Sequence, residues 1–447
     1  MKNNTVRYLK IICLFGVAYL INTYASLFAQ YISRLPEPEL SIASSFWCIS
    51  LIFMFGWGCS KLSEGTVFPS FTLQLITGII LHDALSALSH QIAIVVVICT
   101  ALAAIILKSG GDDIHLKNFI KISFPTLLIA IFGYLVTFFV MFQCLILIGV
   151  DANTSALLSA IIGSTDPAAL IPTLKNLAFQ QRYKRVSDIA IAESAINDAV
   201  GAIFTIVISG LILSGKNINS SMGLFIEIIR PENLVSLLSQ FLFGLIAGVI
   251  GWVAMFYFER YRSAQYLKNN TSFSYDFSIV LCIPIVTFFI AQMIHGNGFL
   301  AAFISGLLAN FNHGSKFFHD LLHHMETQIE SVAKPVIFML VGPFVSIHDL
   351  VETASLGFVA SLLFIFVARP VAVFISIWPS NITFKEKLFL CVIRETGVIP
   401  VVLAVIVCSQ LPQLSLLMPL TAWVVIWTLT FLPAITMWWA KTIKITE

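Results

Sequence analysis

Gly163-Ser164-Thr165-Asp166-Pro167 and Arg394-Glu395-Thr396-Gly397-Val398-Ile399-Pro400 each interrupt a long apolar run. Glycine and proline break helices. Here they do so inside the segments 153–176 and 386–409, each long enough to span a bilayer. An interrupted helix is tolerated within a membrane only where its freed backbone is buried in protein or lines a cavity. The two stretches therefore predict both the fold and the location of its site.

The rest of the chain supports a bilayer as its solvent. Of the 447 residues, 58% are hydrophobic and 11% charged, whereas a soluble domain carries roughly 25% charge. Fourteen apolar segments follow one another with short loops, at 9–33, 41–60, 66–87, 91–110, 118–149, 153–176, 188–214, 231–258, 274–293, 296–312, 327–346, 353–378, 386–409 and 413–440. The first is too long for a signal-peptide core and reads as a retained span. With the N-terminus inside, Lys and Arg distribute 18 to the inner loops and 3 to the outer ones, as the positive-inside rule requires. An even number of spans with both termini cytoplasmic is expected, most simply in a bacterial inner membrane.

The expected fold is an all-α membrane protein of about fourteen transmembrane helices, one transmembrane domain over 1–447. An extra N-terminal helix occupies 1–38 and a core 39–447. Setting aside the first and eighth helices leaves two six-helix sets, and the interrupted helix is the fifth member of each. Broken helices at matching positions of two halves mark the binding site of a transporter built from inverted repeats.

Several function classes are disfavoured. A formal net charge of +2 gives no reason to expect a nucleic-acid partner. The eight cysteines form no C-x-x-C pair, so no zinc or redox motif is expected. Neither a GxGD nor a G-x-S-x-G motif occurs, which weighs against an intramembrane aspartyl protease or a serine hydrolase. No cofactor and no enzymatic activity are expected.

Intramembrane acids cost about 2.5–3.5 kcal/mol each on insertion scales, and Asp166, Glu193, Asp198 and Glu395 stand out. In Ala192-Glu193-Ser194-Ala195-Ile196-Asn197-Asp198, the pairs 193/197 and 194/198 are four apart and form adjacent stripes of one helix. Oxygen donors of this kind suit a hard cation, and a carboxyl withdrawn from water holds its proton more readily. Asp198 can then carry a cation or a proton, and that competition is what an exchanger needs. The plain reading of Asp166 is an N-cap beside Pro167. The plain reading of Glu193 is a structural acid partnered by Arg369.

These stretches resemble a known family. Gly163-Ser164-Thr165-Asp166-Pro167-Ala168 followed by Glu193-Ser194-x-x-Asn197-Asp198 is similar to the signature of the first monovalent cation:proton antiporter family, the NhaP and sodium/proton exchanger group. Pro69-Ser70 with Gly78-Ile79-Ile80-Leu81, Gly296-Asn297-Gly298-Phe299-Leu300-Ala301 with Gly306-Leu307-Leu308, Phe338-Met339-Leu340-Val341-Gly342, Ala368-Arg369-Pro370 and Arg394 follow in the family's order. The resemblance implies an NhaA/NhaP-like fold with crossed broken helices, a homodimer in membrane lipid, and alternating-access exchange of a monovalent cation for H+. Sodium is the first expectation, with potassium or lithium as alternatives. It implies that Asp198 carries ion or proton and that Asp166, Thr165, Ser194 and Asn197 complete the site, Asp198 and Asp166 being the cation's carboxylates. It also implies a structural pair of Glu193 with Arg369. A channel or a transport-dead sensor on the same fold is the alternative.

Three positions depart from the pattern. Lys334 and Lys108 stand where members often carry an acid, and Glu395 where the family has glycine after arginine. Lys108 and the extra first helix are similar to features of NHA-type proteins, and Lys334 resembles the lysine of electrogenic, Asp-Asp type antiporters. Lys334, Arg394, Glu395 and Lys108 are thus candidate modulators, with a Lys334–Glu395 pair as one compensation and snorkelling from a helix end as the plain reading of both lysines. These departures leave the stoichiometry open between electroneutral and electrogenic exchange.

Overall fold

The computed structural model describes residues 2–66, 68–114, 116–216, 218, 220–269, 276–309, 311 and 316–446. The expected segments 274–293 and 296–312 include residues 274, 275, 310 and 312, which lie outside that set. Among the described residues the chain is helical, with one isolated bridge between Phe179 and Thr446. Among the described residues eight helices are long and apolar enough to cross a membrane, from Val6–Thr23 to Leu417–Thr442. Shorter apolar helices, among them Ser70–Ile80, Ala152–Ile162 and Val398–Gln410, account for other expected segments. Large apolar side chains such as Trp57, Leu147 and Trp438 face outward, as a lipid-embedded surface requires.

Both interrupted helices are broken where the polar and glycine residues stand. The first runs Ala152–Ile162, unwinds, and resumes as Pro167–Lys175. The second runs Phe384–Leu390, unwinds, and resumes as Val398–Gln410. Pro167 opens its half-helix, where the missing N–H costs no hydrogen bond.

Other features depart from the simple pattern. The segment expected at 66–87 stops as an α-helix at Ile80 and continues as a tighter 3-10 helix from Asp83 to Gln91. The cause is tertiary. A side chain at Gly78 would meet the backbone of Met339, and one at Gly342 would meet the backbone of Gly78. The ring Nδ1 of His82 lies 2.8 Å from the Gly342 carbonyl oxygen across the same contact. The helices over 116–147 and 354–376 each widen by a π turn, at Leu128–Gly133 and Phe364–Ala368. The second of these leads directly into Arg369. Such widened turns gather at functional sites.

Two helices extend past their expected ends because their outer turns are polar. Pro231–Asn269 is one 39-residue helix, and Lys316–Met339 starts 11 residues before the expected 327. A short helix at Ser221–Ile229 was not expected.

Candidate functional site

The two unwound stretches cross. The Asp166 N–H donates to the Glu395 carbonyl oxygen at 2.8 Å. The Asp166 carboxylate accepts from the N–H of Val398, the first residue of the opposite half-helix, at 3.2 Å. Asp166 thus caps the other broken helix. Its negative charge sits at the positive end of a helix dipole.

The helix ends that point carbonyls into the crossing are met by arginines. Arg394 donates to the Gly163 carbonyl oxygen. Arg369 Nε donates to the Leu390 carbonyl oxygen at 2.9 Å. Each broken helix therefore has its negative end answered by a guanidinium, and both arginines are fully buried. Arg369 also grips Glu193 in a two-pronged pair at 2.5 and 2.9 Å, with Arg394 3.7 Å from the same carboxylate. The π turn before Arg369 turns this residue toward Glu193, and Pro370 follows it.

The helix Arg185–Leu213 carries the ES-x-x-ND face against the first unwound stretch. The Thr165 N–H donates to Asn197 Oδ1 at 3.0 Å. Asn197 Nδ2 donates to Thr165 Oγ1 at 2.9 Å, and the Thr165 hydroxyl donates to Ser194 Oγ at 2.9 Å. This clasp fixes the backbone before Asp166. Thr428 supports the other stretch, accepting from the Thr396 N–H at 3.2 Å.

Asp198 is 3% exposed, and its Oδ1 is buried without a hydrogen-bond partner. It lines a cavity of about 20 Å³ with Asp166, Pro167, Ala195, Val398 and Ile399, and with Asp113 and Glu330 across from them. That is room for one water-sized occupant. The arrangement surrounds such an occupant with three aspartates, Asp113, Asp166 and Asp198, and with Glu330.

The structure brings Asp198, Asp166, Thr165, Ser194, Asn197, Glu193, Arg369, Arg394 and the Glu395 backbone together. It corrects the lysine readings. Lys334 pairs with Glu330, one turn away on its own helix, and not with Glu395. Both Glu395 carboxylate oxygens are buried without a hydrogen-bond partner. Lys108 does not snorkel; it is 3% exposed and pairs with Glu326. Sequence reasoning also missed Asp112, Asp113, Glu326 and Glu330. The signal was available, because 323, 326, 330 and 334 fall on one helical stripe.

The model of the family described as "Sodium/hydrogen exchanger, transmembrane" matches residues 49–442. The chain belongs to this exchanger family. A relative named K(+)/H(+) antiporter NhaP2, from Shewanella baltica, is 25% identical over 72% of the chain and 53% of its own length. The chain thus spans about half the length of that relative. A protein named Probable Na(+)/H(+) antiporter 2, from Methanocaldococcus jannaschii, is 26% identical over 81% of the chain and 84% of its own length. The solved sodium proton antiporter MjNhaP1 from the same organism superposes with a TM-score of 0.72 at 19% identity, covering 88% of this chain and 99% of that one. At that identity the likeness speaks to the fold. The family's membrane-embedded, multi-pass character agrees with the apolar helices described above.

Proposed function

We propose that this exchanger-family chain is a secondary antiporter that trades a monovalent cation for H+, with Asp198 carrying one or the other by alternating access. The observation that carries the reading is the cavity at the crossing. It holds the carboxylates of Asp198 and Asp166, it fits one small occupant, and Asp198 Oδ1 has no protein partner in it. Sodium is the first candidate cation and potassium the second, and the named relatives support both.

Fourteen spans in two inverted six-helix repeats, with both termini cytoplasmic in a bacterial inner membrane, form the architecture of this reading. Its support is positional. Each six-helix set has a π turn in its fourth helix and an unwound stretch in its fifth. The broken-helix bundle moves against the helices that carry Asp113 and Glu330, and a second copy of the chain joins it as a homodimer. The protein is a transporter and not an enzyme, and it needs no cofactor.

Proteoliposomes loaded with a pH-sensitive dye test the reading. A Na+ or K+ gradient is expected to drive saturable proton counter-flow that persists when the membrane potential is clamped. Flux that follows the potential and does not saturate would instead identify a channel.

A further inference from the structure

A second cluster of ionisable groups borders the ion cavity. It joins the end of the helix Ile92–Asp112 to the helix Lys316–Met339. His323 Nδ1 stands 3.6 Å from Asp112 Oδ2, and His323 Nε2 stands 3.6 Å from Asp113 Oδ1. Glu326, one turn beyond His323, is 1% exposed. One of its oxygens pairs with Lys108 while Oε2 is buried with no hydrogen-bond partner.

We infer that Asp112, His323 and Glu326 form a binding site for a divalent first-row transition metal such as Zn2+. One donor atom from each lies within 4.8 Å of the others. Tetrahedral ligands at about 2.1 Å from a metal lie about 3.4 Å apart, so side-chain rotations of about 1 Å close the site. An imidazole with two carboxylates is a donor set that such metals accept.

The surroundings match what metal ligands require. Histidine ligands commonly donate their second N–H to a carboxylate, which fixes the ring. With Nδ1 on the metal beside Asp112, Nε2 faces Asp113. Lys108 holds the other oxygen of Glu326 in the same way. The His323 side chain is 39% exposed, which gives the metal a route from water.

The site would act on transport through Asp113, which lines the ion cavity together with Glu330. A metal at His323 draws Asp113 toward the imidazole and lowers the negative charge at the cavity mouth. This regulatory consequence rests on the proposed antiport, whereas metal binding itself does not.

Calorimetric titration of metal-free, full-length protein in detergent micelles with ZnCl2 tests the inference. Wild type is expected to take up one Zn2+ per chain. His323→Gln, at a half-exposed position, and Glu326→Gln are expected to lose it. Asp113→Asn is expected to weaken it by about tenfold or more. Asp198→Asn is expected to bind as wild type does. No stoichiometric uptake, unchanged uptake by His323→Gln, or uptake lost in Asp198→Asn would each overturn the site. The last outcome would place the zinc in the ion cavity, and the second would place it away from His323. In proteoliposomes that exchange, Zn2+ is expected to slow wild type and spare His323→Gln. Absence of exchange in wild type would sink the antiport reading and leave the zinc titration standing.

Discussion

The Asp166 backbone N–H donates to the Glu395 carbonyl oxygen at 2.8 Å, which ties the two unwound stretches together. Gly397 makes that approach possible, because a methyl group there would meet the Asp166 side chain. Gly397→Ala should cost about 1–3 kcal/mol of stability through overpacking and weaken cation-dependent proton flux. Thermal melting with a flux assay checks both. A variant with wild-type melting and flux would show that the crossing is looser than described.

Glu193 is held by Arg369 at two points and neighboured by Arg394, all of it out of water. Removing one member of a buried pair leaves an uncompensated charge, at about 3–5 kcal/mol. Glu193→Ala should therefore lower the melting temperature more than it alters cation affinity. Unchanged melting with lost cation binding would reverse the assignment and make Glu193 a ligand.

Asn197 accepts from the Thr165 backbone and donates to its hydroxyl. Asn197→Ala strands a buried N–H, at about 1–3 kcal/mol, and frees the backbone beside Asp166. The expected result is a lower melting temperature together with a raised half-saturation concentration for the cation. A change in stability with no change in half-saturation would confine Asn197 to a structural role.

Glu395 presents the opposite case. Its backbone works in the crossing, yet its carboxylate oxygens have no hydrogen-bond partner. Glu395→Gln replaces a buried acid without breaking a hydrogen bond, so melting should be unchanged or raised. A loss above about 1 kcal/mol would reveal a partner for the carboxylate. Transient currents on a supported membrane, wild type against Glu395→Gln, would show whether this carboxyl adds to the charge moved per cycle.

The broken helices were legible because their interruption is written in residue types: glycine, proline and acids inside apolar runs. The partner of Glu193 was legible because an intramembrane charge needs one, and such groups are few. His323 and Glu326 were not found, since the first half of their helix is polar and lies before the expected segment at 327–346; Glu330, inside that segment, was passed over. Lys334 was assigned a distant partner although Glu330, four residues away, is the ordinary helical neighbour. The break after Ile80 and the π turns leave little mark on the sequence. They arise from the approach of Gly78 to Gly342 and from packing between helices, and neither is local.

Exchange in proteoliposomes containing Asp198→Asn tests the central claim most directly. Asparagine keeps the size and cannot take up or release the proton. The account predicts a protein that melts near the wild-type temperature and shows no Na+- or K+-driven proton flux. Wild-type flux in that variant would contradict it.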